Sequence, residues 1–118
     1  LQDSLFEHLF GLLPDTVLLL DSKGLVEMAN PEARRWFASH HMEPAQYVVL
    51  LDDKAKSQLF ARMPLQSYEM SYILGTRHLY LTILIDYIQL SGEQRTVLIL
   101  RDNTEHKQKI AELERLTR

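Results

Sequence analysis

The sequence predicts an α+β domain built on one antiparallel sheet, and three observations carry that reading. Short apolar stretches are separated by glycine-bearing turns, so consecutive strands should pair as hairpins. Helical spacing of apolar residues is confined to the two ends and the middle of the chain. No strand–helix–strand alternation runs through it, which counts against a parallel doubly wound sheet. The predicted order is helix, two strands, short helices, three strands, helix.

Ser4-Leu5-Phe6-Glu7 has the form of a capping box, with Glu7 at N3 placed to return a bond to the cap residue. Leu5, Leu9, Leu12 and Leu13 then recur at helical spacing until Pro14 stops the helix. Thr16–Asp21 reads as a short apolar strand, Ser22-Lys23-Gly24 as a turn, and Leu25–Ala29 as the returning strand. Asn30-Pro31-Glu32 is the sharpest local signal. Asn is a strong N-cap, Pro suits N1 because its missing N–H would be unpaired anyway, and Glu favours the positive helix end. The helix it opens places Ala33, Trp36 and Phe37 on one face and Arg34 and Arg35 on the other. His40–Pro44 reads as a loop. Ala45–Leu50 reads as a short helical segment, with Tyr47-Val48-Val49 arguing the other way.

Asp52 or Asp53 caps a further helix through Leu59, Phe60 and Met63, and Pro64 stops it. Strands Ser67–Leu74, Arg77–Tyr87 and Arg95–Arg101 follow, joined at Gly75 and at Ser91-Gly92-Glu93. Thr104–Arg118 is a charged helix with Glu105–Lys109 and Glu114–Arg118 as i,i+4 pairs in the favourable order. Ile110, Leu113 and Leu116 or Thr117 form a thin apolar seam on it, too short to establish a coiled coil. In Arg77–Tyr87, Leu79, Leu81, Ile83 and Ile85 alternate with Tyr80, Thr82 and Leu84, whereas a strand wet on one side is polar there. The second face must therefore meet the N-terminal helix or a partner subunit.

Bulk properties narrow the function. A chain of 118 residues, 46% apolar and 25% charged, suits one soluble domain with one core. Cysteine is absent, which removes disulfides, thiolate metal sites, cysteine nucleophiles and cysteinyl-flavin photochemistry, and fits a reducing, cytoplasmic setting. Net charge is −3 with scattered basic residues, so no basic stripe for nucleic acid is visible. The longest apolar runs, such as Val17–Leu20 and Ile83–Ile85, fall far short of the roughly 18 residues needed to span a bilayer, and no membrane contact is expected from this segment. The chain opens without Met and stops inside a helical pattern, so we expect a piece of a longer protein whose remainder holds the activity.

Element order and two motifs resemble the PAS family. Leu13-Pro14-Asp15-Thr16-Val17 through Asn30-Pro31-Glu32-Ala33 resembles the family's opening of helix, Pro-Asp, strand, glycine turn, strand and Asn-Pro-x-Ala. Leu100-Arg101-Asp102-Asn103-Thr104-Glu105-His106-Lys107 resembles the segment that joins the last PAS strand to its output helix, with Asn103 in place of the usual aliphatic residue. The resemblance implies a five-stranded antiparallel sheet in the order 2-1-5-4-3, with short helices over one face around a ligand space, flanked by N- and C-terminal helices. It divides the chain into an N-terminal cap helix (1–13), a PAS core (14–102) and a C-terminal output or linker helix (103–118).

The family also implies a sensory module with no catalysis of its own. Its relay to an effector in cis would run through the exit segment, with Asp102 and Thr104 at the junction and Thr104 or Asn103 capping the output helix. Ile110–Arg118 resembles the linker that precedes GGDEF-type diguanylate cyclase domains; a sensor histidine kinase is the second reading. A pure dimerisation module with no ligand is the third. A homodimer through the N-terminal helix or the sheet face is expected.

Trp36, Phe60, Tyr72, Leu81 and Ile83 are the candidate ligand-pocket residues, set against plain core packing of the same side chains. Trp36 and Tyr72 stand out for their hydrogen-bonding tips. The histidines His8, His40, His41, His78 and His106 lack ligand spacing and read as surface or loop residues, so no metal site is expected. The resemblance implies that a haem sensor would carry a His in the helix at Asp52–Met63, and none stands there, so haem is disfavoured; no cofactor is expected, although a small ligand of unknown identity fits the fold. Glu105-His106-Lys107 lacks the pattern of a phospho-acceptor box. No nucleophile with a base, and no carboxylate pair, stands out for an enzyme reading.

Overall fold

The computed structural model describes residues 2–61 and 66–117. One five-stranded sheet forms from β1 (Thr16–Leu20), β2 (Val26–Ala29), β3 (Gln66–Leu74), β4 (Arg77–Leu90) and β5 (Glu93–Asp102). The strand order is β2-β1-β5-β4-β3 and every neighbouring pair is antiparallel. Helices α1 (Gln2–Leu12), α2 (Pro31–Ser39), α3 (Asp53–Ala61) and α4 (Thr104–Leu116) complete the chain, with a 3-10 helix at Pro44–Leu50. The α+β architecture and the strand order are those expected.

Turn chemistry sets the hairpins. The Asp21 carboxylate accepts from the amides of Lys23 (2.8 Å) and Leu25 (3.0 Å), closing the β1–β2 turn. These bonds hold its pKa below the ordinary carboxylate value, and they delay β2 to Val26 rather than Leu25. Gly24 takes φ 84°, a conformation open to glycine at little cost. The β4–β5 turn is tighter than expected. Ser91 (φ 51°) and Gly92 (φ 79°) are both left-handed, so two residues suffice and β4 runs on to Leu90.

Asn30 does more than cap α2. It is 1% exposed, and its side-chain oxygen accepts from the amides of Ala33 (2.9 Å) and Val17 (3.1 Å). Its Nδ2 donates to the carbonyls of Asp15 (2.7 Å) and Leu13 (3.4 Å). One amide group thus pins the end of α1, the start of β1 and the start of α2. Asp52, rather than Asp53, caps α3, accepting from the amide of Ala55 at 2.8 Å. The stop expected at Met63-Pro64 lies outside the described residues.

The sheet divides the core in two. On the helix side, Leu18, Leu20, Leu79, Leu81, Ile83, Ile85, Leu98 and Leu100 pack with Ala33, Phe37, Tyr47, Leu50, Ala55 and Leu59. Burying such side chains contributes roughly 1.5–3 kcal/mol each. On the other side Phe10 of α1 packs on Val17 and Leu19, flanked by Met28, Ile88, Leu90, Val97 and Ile99. The N-terminal helix therefore answers part of the need created by a two-sided apolar β4. Leu5, Leu9 and Leu12 of this helix, and Leu13 just past its end, are exposed.

Ser4 lies in the first turn of α1 rather than ahead of it, because the helix extends back to Gln2. The capping box expected there is not the helix start. Helix α4 buries none of its residues, and Leu113 and Leu116 are 62% and 67% exposed. Its charges pair along the helix, Lys109 with Glu105 at 3.0 Å and Arg115 with Glu112. Residue 118 lies outside the described residues, so the expected Glu114–Arg118 pair does too.

Candidate functional site

The junction of β5 with α4 gathers the polar chemistry of the fold. Asp102 ends β5, and its Oδ1 accepts from the amide of Thr104 at 3.0 Å. That bond occupies one of the amides a helix start leaves unpaired. The other oxygen, Oδ2, accepts from the Trp36 indole Nε1–H at 2.8 Å. Trp36 lies on α2, so a single carboxylate joins α2 to the first turn of α4. Burial pushes the Asp102 carboxyl up. The bonds from Thr104 and Trp36 and the nearby His40 outweigh it and hold the group below the usual carboxylate value.

Strand β4 grips the same junction. The Thr104 hydroxyl accepts from the amide of Tyr80 at 3.0 Å, and the Asn103 amide donates to the Tyr80 carbonyl at 2.8 Å. Asn103 sits at the N-cap but its side chain makes no cap bond. Its Nδ2 donates instead to the Thr82 hydroxyl at 2.6 Å. The expectation that Thr104 or Asn103 caps α4 is therefore corrected. Both side chains are committed to β4, and Asp102 takes the capping role.

His40 completes the cluster. It follows α2 as its C-cap, its side chain is only 9% exposed, and its ring lies 4.4 Å from that of Trp36. Nδ1 accepts from the Arg77 guanidinium at 3.0 Å, and Nε2 lies 3.9 Å from Asp102 Oδ2. Burial first, then Arg77, lowers the His40 pKa; Asp102 opposes them. His40, Arg77, His78, Asp102, Thr104, Glu105 and others line an open groove of about 770 Å³.

The sequence-derived candidates thus fall in three places. Trp36, Asp102 and Thr104 meet at the junction. Leu81 and Ile83 lie in the helix-side core, and Tyr72 packs half-buried against its margin from edge strand β3. The Phe60 side chain lies outside the described residues. Sequence reasoning missed His40 and Arg77 as members of the junction. They are 37 residues apart and only the fold brings them together; their one sequence signal is placement beside a helix end and a turn glycine. Among the described residues no group of three or more His, Cys, Asp or Glu is placed to hold a metal, and no helix is long and apolar enough to cross a membrane.

No family model matches the sequence, and no curated protein does. Solved structures do match. The PAS domain of BvgS from Bordetella pertussis superposes with a TM-score of 0.64 at 17% identity, covering 98% of this chain and 97% of that one. The PAS domain of an HTR-like protein from Haloarcula marismortui gives 0.60 at 19% identity, covering 86% and 96%. This chain has the PAS fold. The PAS domain of nitrogen regulation protein NR(II) from Vibrio parahaemolyticus gives 0.60 at 16% identity, covering 83% and 97%. Within this PAS fold the junction sits where the last strand leaves the sheet for an exposed helix. There Trp36 of α2 and Thr104 of α4 meet through two hydrogen bonds to one carboxylate.

Proposed function

We propose that this chain is a regulatory PAS module that relays a signal from its core through α4 to an effector domain in cis. The observation that carries the reading is the bond chain Trp36 Nε1–Asp102–Thr104, which ties a core helix to an otherwise exposed one. A relay needs two arrangements with different affinity for the signal. The junction supplies the element to be biased, because it is polar, partly exposed and held by hydrogen bonds, with no buried residue on α4.

The first effector reading is a GGDEF-type diguanylate cyclase, supported by the linker-like sequence Ile110–Arg118. A sensor histidine kinase is the second, favoured by a structural neighbour described as a PAS domain from a two-component sensor histidine kinase, with a TM-score of 0.56 at 10% identity. The exposed stripe Leu5, Leu9, Leu12 and Leu13 supports homodimerisation through α1. A small ligand would sit between the helices and β4, against Leu81 and Ile83, with Trp36 and Tyr72 at its margin. Without one, the module would respond to partner contact alone.

The test joins residues 1–118 through α4 to a diguanylate cyclase catalytic domain and, separately, to a histidine kinase catalytic core. Asp102→Ala should change the basal activity of the matching fusion severalfold while the fold is retained by circular dichroism. Equal activity of wild type and variant in both fusions rejects the relay. Native mass spectrometry of the chain supplies the ligand and dimer readings together.

A further inference from the structure

We infer that His40 is a proton-operated switch on the junction: uncharged it holds Arg77, and protonated it releases Arg77 and turns to Asp102. The inference rests on the relay reading and names a regulator of that site. Its basis is the division of labour between the two ring nitrogens. Arg77 has only N–H groups to offer, so Nδ1, 3.0 Å away, must be the bare, accepting nitrogen. The ring proton is then on Nε2, which faces Asp102 Oδ2 at 3.9 Å. This tautomer clasps α2 to the first residue of β4.

A second proton can enter only at Nδ1. It removes the acceptor that Arg77 uses and sets two cations against each other, so the clasp opens. The new charge also lies beside Asp102, whose two oxygens already hold the Trp36 indole and the Thr104 amide. Drawing that carboxylate toward α2 weakens its hold on the first turn of α4. The charged groups facing His40 are Arg77 from β4, Asp102 from β5 and His41 from its own loop. His78 of β4 and Glu105 of α4 line the same groove. Burial and Arg77 disfavour the imidazolium, so the clasp is closed at neutral pH and opens under mild acid, below the ordinary histidine range.

The chain carries its own reporter. Trp36 is its sole tryptophan, and its ring lies against that of His40, where an imidazolium quenches indole fluorescence. The experiment is an NMR and fluorescence titration of residues 1–118 between pH 4.5 and 8. Expected is one midpoint, below 6.5, shared by the His40 ring, Trp36 emission, the Arg77 side chain and the Thr104 amide, with the protection of that amide, taken relative to its intrinsic exchange rate at each pH, about fivefold lower on the acid side. His40→Gln keeps a neutral acceptor and should erase the shared midpoint; Arg77→Gln should raise it. A Thr104 amide indifferent to His40 protonation, or a transition that survives His40→Gln, overturns the inference. Asp102→Asn at pH 7.5 separates the two readings. If it speeds α4 exchange while His40 protonation does not, the switch fails and the relay stands; if it leaves α4 unchanged, the relay itself fails.

Discussion

Asn30 offers the sharpest test of how this fold is held, because two substitutions separate a helix cap from a three-way staple. Asn30→Ala strands the amides of Val17 and Ala33, both of which bond its oxygen inside the protein. Each unpaired buried donor costs about 1–3 kcal/mol, so a loss of about 2–6 kcal/mol is expected. With a urea slope of about 2 kcal/mol/M, the unfolding midpoint should fall by about 1–3 M. Asn30→Asp is the discriminating variant. It keeps the accepting oxygen and places a negative charge at a helix start, so a simple cap would be unharmed or improved. The staple predicts the opposite, because the donor to Asp15, 2.7 Å away, becomes an anion facing a carbonyl. The loss should be about 1–3 kcal/mol at neutral pH and shrink in acid, where a protonated carboxyl can donate again. Urea unfolding followed by far-ultraviolet circular dichroism and Trp36 fluorescence reads both. An Asp variant within about 0.5 kcal/mol of wild type, with an Ala variant losing under about 1 kcal/mol, refutes the staple.

Other predictions concern the core and the junction. Tyr47→Phe removes the hydroxyl that donates to the Gly24 carbonyl at 2.7 Å and should lower stability by about 1 kcal/mol in urea unfolding. Ile83 is fully buried, so Ile83→Ala should cost about 2–5 kcal/mol if it is core, and markedly less if a ligand space already adjoins it. Asp102 has a folded pKa below its ordinary 3.8, so its stabilising contribution is full above that value and is lost as pH falls through the folded pKa. Wild type should therefore exceed Asp102→Asn in stability most near neutrality, the gap closing below about pH 4 in a series of urea titrations. A gap that widens in acid would contradict the sign.

Much of the fold is legible because its signals are local. Gly24, Gly75 and Gly92 mark turns, Asn30-Pro31 marks a helix start, and the alternation in β4 announces a strand with one face buried in the core and the other half-buried. What escaped depends on partners distant in sequence. Asn103 stands where a helix cap belongs, yet Thr82 takes its side chain, and Asp102 caps in its place. The end of β4 was also hidden, because a left-handed Ser91 lets a two-residue turn replace a longer one. At the site, Asp102 and Thr104 were visible through the exit motif. His40 reads as a loop residue in the sequence, since nothing in its neighbours foretells Arg77 and Trp36 closing around it.

A PAS relay through this junction requires Trp36 and Asp102 to act as one unit on α4. Amide hydrogen exchange across Thr104–Leu116 in wild type, Trp36→Phe, Asp102→Asn and the double variant reads that coupling. Faster exchange is expected in each single variant, with a double variant hardly worse than Asp102→Asn alone, a coupling of about 1 kcal/mol. Unchanged exchange in the single variants, or effects that simply add, would contradict it.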